Sequence, residues 1–257
     1  MIAFPVTEDS PALDSLTLME TEGRDLLRRV DLVIESMGIP AGHPLVSLLV
    51  RLRLRPGEAL RTVLDMSGED LLAASAKLRK LATSYRDGLI GPSHRSIAEL
   101  RWGGAGFEAF AARWAAQAQH VAGPDDGSLA GRLDLTADFA ESVAGWCAQV
   151  RQAMATTLVE AFGSTEAVTL KSCDALDRDA SGLRRAVVTG EIDNGDRLVE
   201  AAANLGAVTL RTVSRWYDAA VETFLGGDWT GWLAPLPEPV APTPGGPEGA
   251  SAGWVRL

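Results

Sequence analysis

The stretch Ser67-Gly-Glu-Asp70-Leu71-Leu-Ala-Ala74-Ser-Ala-Lys-Leu78-Arg-Lys-Leu81-Ala-Thr-Ser-Tyr85 decides the fold. Ser67 stands where it can cap a helix, and Glu69 and Asp70 fall in the first turn, where the helix dipole favours anions. Leu71, Ala74, Leu78, Leu81 and Tyr85 then recur at spacings of 3, 4, 3 and 4. An apolar seam of this kind is buried only against another helix. The same pattern predicts that the helix ends near Gly88, Gly91 and Pro92.

Downstream, Trp102-Gly103-Gly104-Ala105-Gly106 reads as a glycine-rich turn, and Phe107, Phe110, Trp114, Ala118 and Val121 form a second seam at heptad-like spacing. Gly123-Pro124-Asp125-Asp126-Gly127 closes it. A third seam runs through Phe139, Val143, Trp146, Val150, Ala153 and Thr157 and stops at Gly163. Upstream, Leu26, Leu27, Val30, Val33, Ile34 and Met37 follow helical spacing from Gly23 to a stop at Gly38 and Pro40, after a loose first twenty residues. Pro44 opens a further segment; residues 50–55 also alternate like a strand, but Pro suits a first helical turn and the reading is helix. Residues 57–66 add a short helix.

Between Ser164 and Asp196 the periodicity weakens into helices broken by turns, and from Leu198 it returns. Leu198, Ala202, Leu205, Thr209, Trp216 and Phe224 line one helix of nearly thirty residues that stops at Gly226-Gly227. Six of the thirteen prolines lie beyond Leu233, as in an extended or disordered tail. The expectation is an all-α bundle. Residues 1–64 supply N-terminal helices, 65–162 a central hairpin with a third long helix, 163–232 a C-terminal helical region, and 233–257 a Pro/Gly-rich tail.

Composition narrows the function. A formal net charge of -10 speaks against nucleic acid as the main partner, because phosphate binding needs clustered positive charge. Pro44 to Leu54 is the longest greasy stretch and carries Arg51 and Arg53, so no transmembrane segment is expected. Met1 to Leu18 has no basic start followed by an apolar run, so no cleaved signal peptide is expected. Cys147 and Cys173 are too few for a disulfide scaffold and read as reduced core residues, one bridge staying open.

Catalytic patterns do not emerge. His43, His94 and His120 are scattered without metal-ligand spacing, and there is no phosphate-binding loop, dinucleotide fingerprint or nucleophile elbow. Asp125-Asp126 sits in a Gly/Pro turn, where Asp is expected for backbone reasons. Asp193, Asn194 and Asp196 lack the distal Glu of a calcium loop. No catalytic residue, metal site or cofactor is expected.

Trp-x-Gly occurs twice, at Trp102 to Gly104 and at Trp229 to Gly231, where the seven Trp and 26 Gly would give about 0.7 occurrences by chance. The second leads into the tail and reads as coincidence. The first lies between two seams. With Trp102, Gly104, Phe107, Phe110 and Trp114, residues 65–162 resemble the Trp-x-Gly family of type VII, or ESX, secretion substrates, in the longer secretion-associated form. The resemblance implies an antiparallel helical hairpin, pairing with another helical subunit, and export without a cleaved signal. Glycine frees such a turn and an indole can cover the end of the facing seam. The family's export signal Tyr-x-x-x-Asp/Glu has no match, since Leu89 follows Tyr85 and Val221 follows Tyr217 at the fourth place.

The function this implies is protein–protein interaction by a secreted or secretion-associated, non-catalytic chain that engages a helical subunit, the secretion machinery or itself. Two alternatives stay open. One is a cytoplasmic antitoxin or chaperone-like partner of a secreted toxin. The other is an enzyme whose site is assembled from sequence-distant residues, with the acidic region between Asp174 and Asp196 as its place.

Overall fold

The computed structural model describes residues 14–99, 103–177 and 195–225, with Leu183, Arg185, Ala186 and Thr189; for 89–99 only the backbone is described. Every element among them is helical. The order is α1 (Ser15–Leu18), α2 (Glu20–Met37), α3 (Pro44–Leu52), α4 (Pro56–Leu64), α5 (Glu69–Glu99), α6 (Ala105–Ala122), α7 (Leu129–Phe162) and α8 (Thr165–Lys171). A 3-10 turn at Asp174–Asp177 follows, then α9 (Gly195–Ala220), which winds into a π turn at Val221–Leu225. The tail and the second Trp-x-Gly lie outside the described residues.

The chain divides into two compact units, one of residues up to Leu72 together with Ala140–Trp229, the other containing Ala73–Phe139. In the first, α9 touches α2, α3, α4 and α8. Leu26, Leu27, Val30 and Val33 of α2 join Leu60 of α4, Met154 and Leu158 of α7, and Leu198, Ala202 and Leu205 of α9 in one core. Each fully buried Leu contributes about 2–3 kcal/mol. A second cluster joins Leu45 of α3 to Ala203, Ala207 and Leu210 of α9. Helices come this close where a side chain is missing: a Cβ on Gly206 would stand 3.2 Å from both Leu45 and Pro56. Thr157 and Thr212 share a buried hydroxyl contact of 2.9 Å between α7 and α9, so neither hydroxyl is stranded.

The ends of these helices follow from local chemistry. Gly38 leaves α2 at φ 87, where only glycine is unstrained. His43 caps α3, its Nδ1 accepting from the Leu45 N–H at 3.2 Å, with Pro44 in the first turn. Glu58 reaches back to accept the Arg55 N–H at 2.9 Å at the start of α4. Arg151 of α7 joins three segments: it donates to the backbone carbonyls of Val63 and Leu64 in the last turn of α4 and of Met66 just beyond it, to Thr17 Oγ1 and to Asp14.

In the second unit, Arg79 pairs with Asp138 and Arg86 with Asp134, each at 2.6 Å. Residue numbers rise on one helix as they fall on the other, so α5 and the start of α7 run antiparallel. The buried positions are small: Ser75 and Ala82 on α5, Ala130 and Ala137 on α7.

Four expectations are corrected here. The burial on α5 falls on Ser75 and Ala82, not on the Leu71–Tyr85 seam; Leu81 is 44% exposed and Ala74 is exposed. Small residues pack a close seam that a hydrophobicity pattern undervalues. On α7 Val150 and Thr157 of the expected line are buried, but so are Ala140, Ala144, Cys147, Met154 and Leu158 one residue further on, a line whose apolar pattern Arg151 interrupts. Finally, α5 does not stop at Gly88 to Pro92 but runs on to Glu99. Pro92 takes a donor from the Gly88 carbonyl, but Gly88 is exposed, so water can serve that oxygen. Residues 15–20, within the first twenty read as loose, are also largely helical.

Candidate functional site

The residues singled out by sequence fall around the start of α6. Trp102 lies outside the described residues. Gly104 adopts φ 92, a left-handed value that a side chain would strain, and it is the N-cap of α6. Its carbonyl accepts from the N–H groups of Phe107 at 3.0 Å and Glu108 at 3.1 Å, so the helix begins immediately after the glycine pair. Of the two glycines in the motif's turn, Gly104 is the one whose backbone demands its type.

From there α6 carries its aromatics on one side. Phe110 and Trp114, one turn apart, stack with ring centroids 6.4 Å apart and an interplanar angle of 19°. Phe110 is 39% exposed, Phe107 and Trp114 are partly exposed, and on the whole helix only Ala122, in the last turn, is buried. Ala118 and Val121 continue the stripe, also partly exposed. The helix stands where the spacing puts it, and Phe107, Trp114, Ala118 and Val121 are half-buried along it while Phe110 is exposed.

The set-aside metal candidates have backbone roles where they are described. Asp125 accepts through its carbonyl from the Ser128 N–H at 3.0 Å and through Oδ2 from Gln119 at 3.0 Å. Asp196 is in the first turn of α9, and Asp193 and Asn194 lie outside the described residues. Among the described residues no group of three or more His, Cys, Asp or Glu could hold a metal ion. No helix among them is long and apolar enough to cross a membrane. Both cysteines are free thiols, and burial pushes the Cys147 thiol up.

Three cavities open in the first unit. One of about 620 Å³ surrounds Arg151, whose donors are already spent on Asp14, Thr17 and the carbonyls at the end of α4. Another of about 640 Å³ lies between α7 and α9 over the Thr157–Thr212 pair. The third, about 320 Å³, is apolar and was not foreseen from sequence. It lies between the end of α3, α4, α7 and α9, and Trp146 and Trp216 line it. The Nε1 atoms of both indoles are buried without a hydrogen-bond partner. A buried donor left in this state costs about 1–3 kcal/mol. The only advance signal was that both tryptophans belong to predicted seams.

No protein-family model, no curated protein and no solved structure matches the chain.

Proposed function

We propose that this protein is a non-catalytic, protein-binding helical chain of the Trp-x-Gly kind, a type VII secretion substrate or secretion-associated protein that docks a helical partner on α6. The observation that carries this reading is the Phe110–Trp114 stack, held on a helix of which only Ala122 is buried. Aromatic anchors at one-turn spacing that are not buried in their own chain are what a helix-in-groove or helix-on-helix contact uses. The left-handed Gly104 that starts α6 lends further support, since it gives the glycine of the Trp-x-Gly motif a backbone reason.

The hairpin itself, with Trp102 at its turn, belongs to this proposal. A cytoplasmic antitoxin or chaperone-like partner is the second reading, favoured by Leu89 and Val221 at the fourth place after the two tyrosines. Immunoblots of washed cells and cell-free medium, from the native host and from a strain with its type VII ATPase disabled, separate the two. Extracellular protein that disappears in the disabled strain supports the substrate. Protein confined to cells in both strains supports the intracellular partner.

A further inference from the structure

The 320 Å³ cavity differs from its two larger neighbours in what its walls offer. Around Arg151 the guanidinium donors already have protein partners. Between α7 and α9 the buried hydroxyls satisfy one another. The third cavity is walled by Val63, Met66, Val150 and Val213, with Trp146 and Trp216 the only indoles among its lining residues, and both carry an unmatched N–H. Two buried donors with nothing to accept from them, carried by the two indoles that wall this space, are disfavoured unless an acceptor reaches them.

Two further observations converge on the same place. Directly after Ala220, a lining residue, the chain leaves α-helical winding for the π turn Val221–Leu225, and Phe224 of that turn meets the Trp146 ring edge-on, with centroids 6.3 Å apart. Such widened turns concentrate at functional sites. Arg51 also lines the cavity, but its guanidinium pairs with Asp218 and donates to Ser214 Oγ at 3.0 Å. That positive charge is already matched, so this wall does not call for an anion.

We propose that the cavity between α3, α4, α7 and α9 binds a small neutral aromatic molecule bearing a carbonyl acceptor, which takes the N–H groups of Trp146 and Trp216. At the packing density of a protein interior the volume holds about a dozen non-hydrogen atoms. Aromatic rings match the indole walls by stacking or edge contact. Both Nε1 atoms are out of contact with solvent, so binding turns the indoles toward the ligand, and their N–H resonances report it.

The test uses three probes of one shape on the full chain: 2-acetylnaphthalene, which is neutral with one acceptor, 2-ethylnaphthalene, which has none, and 2-naphthoate, which is charged. Binding is followed by calorimetry and by the indole N–H signals, assigned with Trp146→Phe and Trp216→Phe. The expected result is that the acetyl compound binds roughly tenfold more tightly than the ethyl compound, with the two assigned indole signals moving downfield. Ala220→Leu, which fills the cavity, abolishes this; Thr62→Leu at another wall serves if Ala220→Leu melts early. No binding, equal binding of the acetyl and ethyl probes, tightest binding of the naphthoate, or binding unchanged in the filled variant each overturns the proposal.

Discussion

Asp31 Oδ2 accepts the backbone N–H of Gly57 at 3.1 Å, while Oδ1 of the same carboxylate is buried without a partner. Burial pushes its pKa up from 3.8 to about 6, against the Gly57 bond and the nearby Arg55 charge, with Glu58 and Glu35 adding to the rise. A folded pKa above the unfolded one means that the protonated form is favoured by folding. The associated stability is full below pH 3.8 and is lost as pH rises through about 6. Asp31→Asn keeps an acceptor and drops the charge, so it should match the parent near pH 4 and be more stable by about 1–3 kcal/mol near pH 7.5. Urea melts at the two pH values check this; an equal difference at both would sink it.

Arg151 works in the opposite sense. Its hydrogen bond to Asp14 holds that carboxyl at about 2, below the ordinary 3.8. The contribution is present above pH 3.8 and is lost as pH falls through about 2. Because Asp14 is largely exposed, the carboxylate's share is small, and most of the cost of Arg151→Met should come from the Leu64 and Met66 carbonyls that lose the guanidinium. About 2–4 kcal/mol is expected near neutral pH, with Asp14→Asn costing much less. Thermal melts of the two variants side by side decide it.

Two neighbouring sites should respond oppositely to the same added methyl group. A Cβ on Gly68 would stand 3.0–3.1 Å from the Cβ, Cα and carbonyl oxygen of Ala144, atoms that cannot swing aside, whereas one on Gly145 meets nothing within 4 Å. Gly68→Ala should destabilise by about 1–3 kcal/mol. Gly145→Ala, on an exposed turn of α7, should stabilise by about 0.5–1 kcal/mol. Chemical denaturation of the pair gives the sign of each.

Phe110→Ala removes an exposed ring and should leave the melting temperature within about 2 °C of the parent, since surface substitutions seldom exceed ~0.5 kcal/mol. The same variant should lose any partner recovered by crosslinking in the native host. Retained crosslinks would place the docking surface elsewhere.

Helix identity was legible because period and punctuation agree. Pro44 and Pro56 start helices, Gly38, Gly123 and Gly163 follow helix ends, and Leu198 to Thr209 line α9 as the spacing predicts. What the spacing missed was part of the burial on α5 and α7. On α5 the buried positions are Ser75 and Ala82, and on α7 Ala140 and Ala144 are buried as well as the expected Val150 and Thr157; Ser and Ala carry little hydrophobic signal, and the partly buried Arg151 packs there by spending its guanidinium on backbone carbonyls. The α6 stripe was visible as aromatic spacing. The Trp146–Trp216 cavity was not, because a cavity depends on which faces of four helices meet.

The partners of α2 carry a consequence for how the chain is made. Leu26, Leu27 and Val30 share a core with Leu198, Ala202 and Leu205, more than 160 residues downstream, and Ala73–Phe139 intervenes as a unit of its own. A nascent chain therefore presents its earliest greasy helices long before α9 leaves the ribosome to cover them. High contact order slows such closure. Incomplete chains ending before α9 should be sticky, chaperone-dependent species.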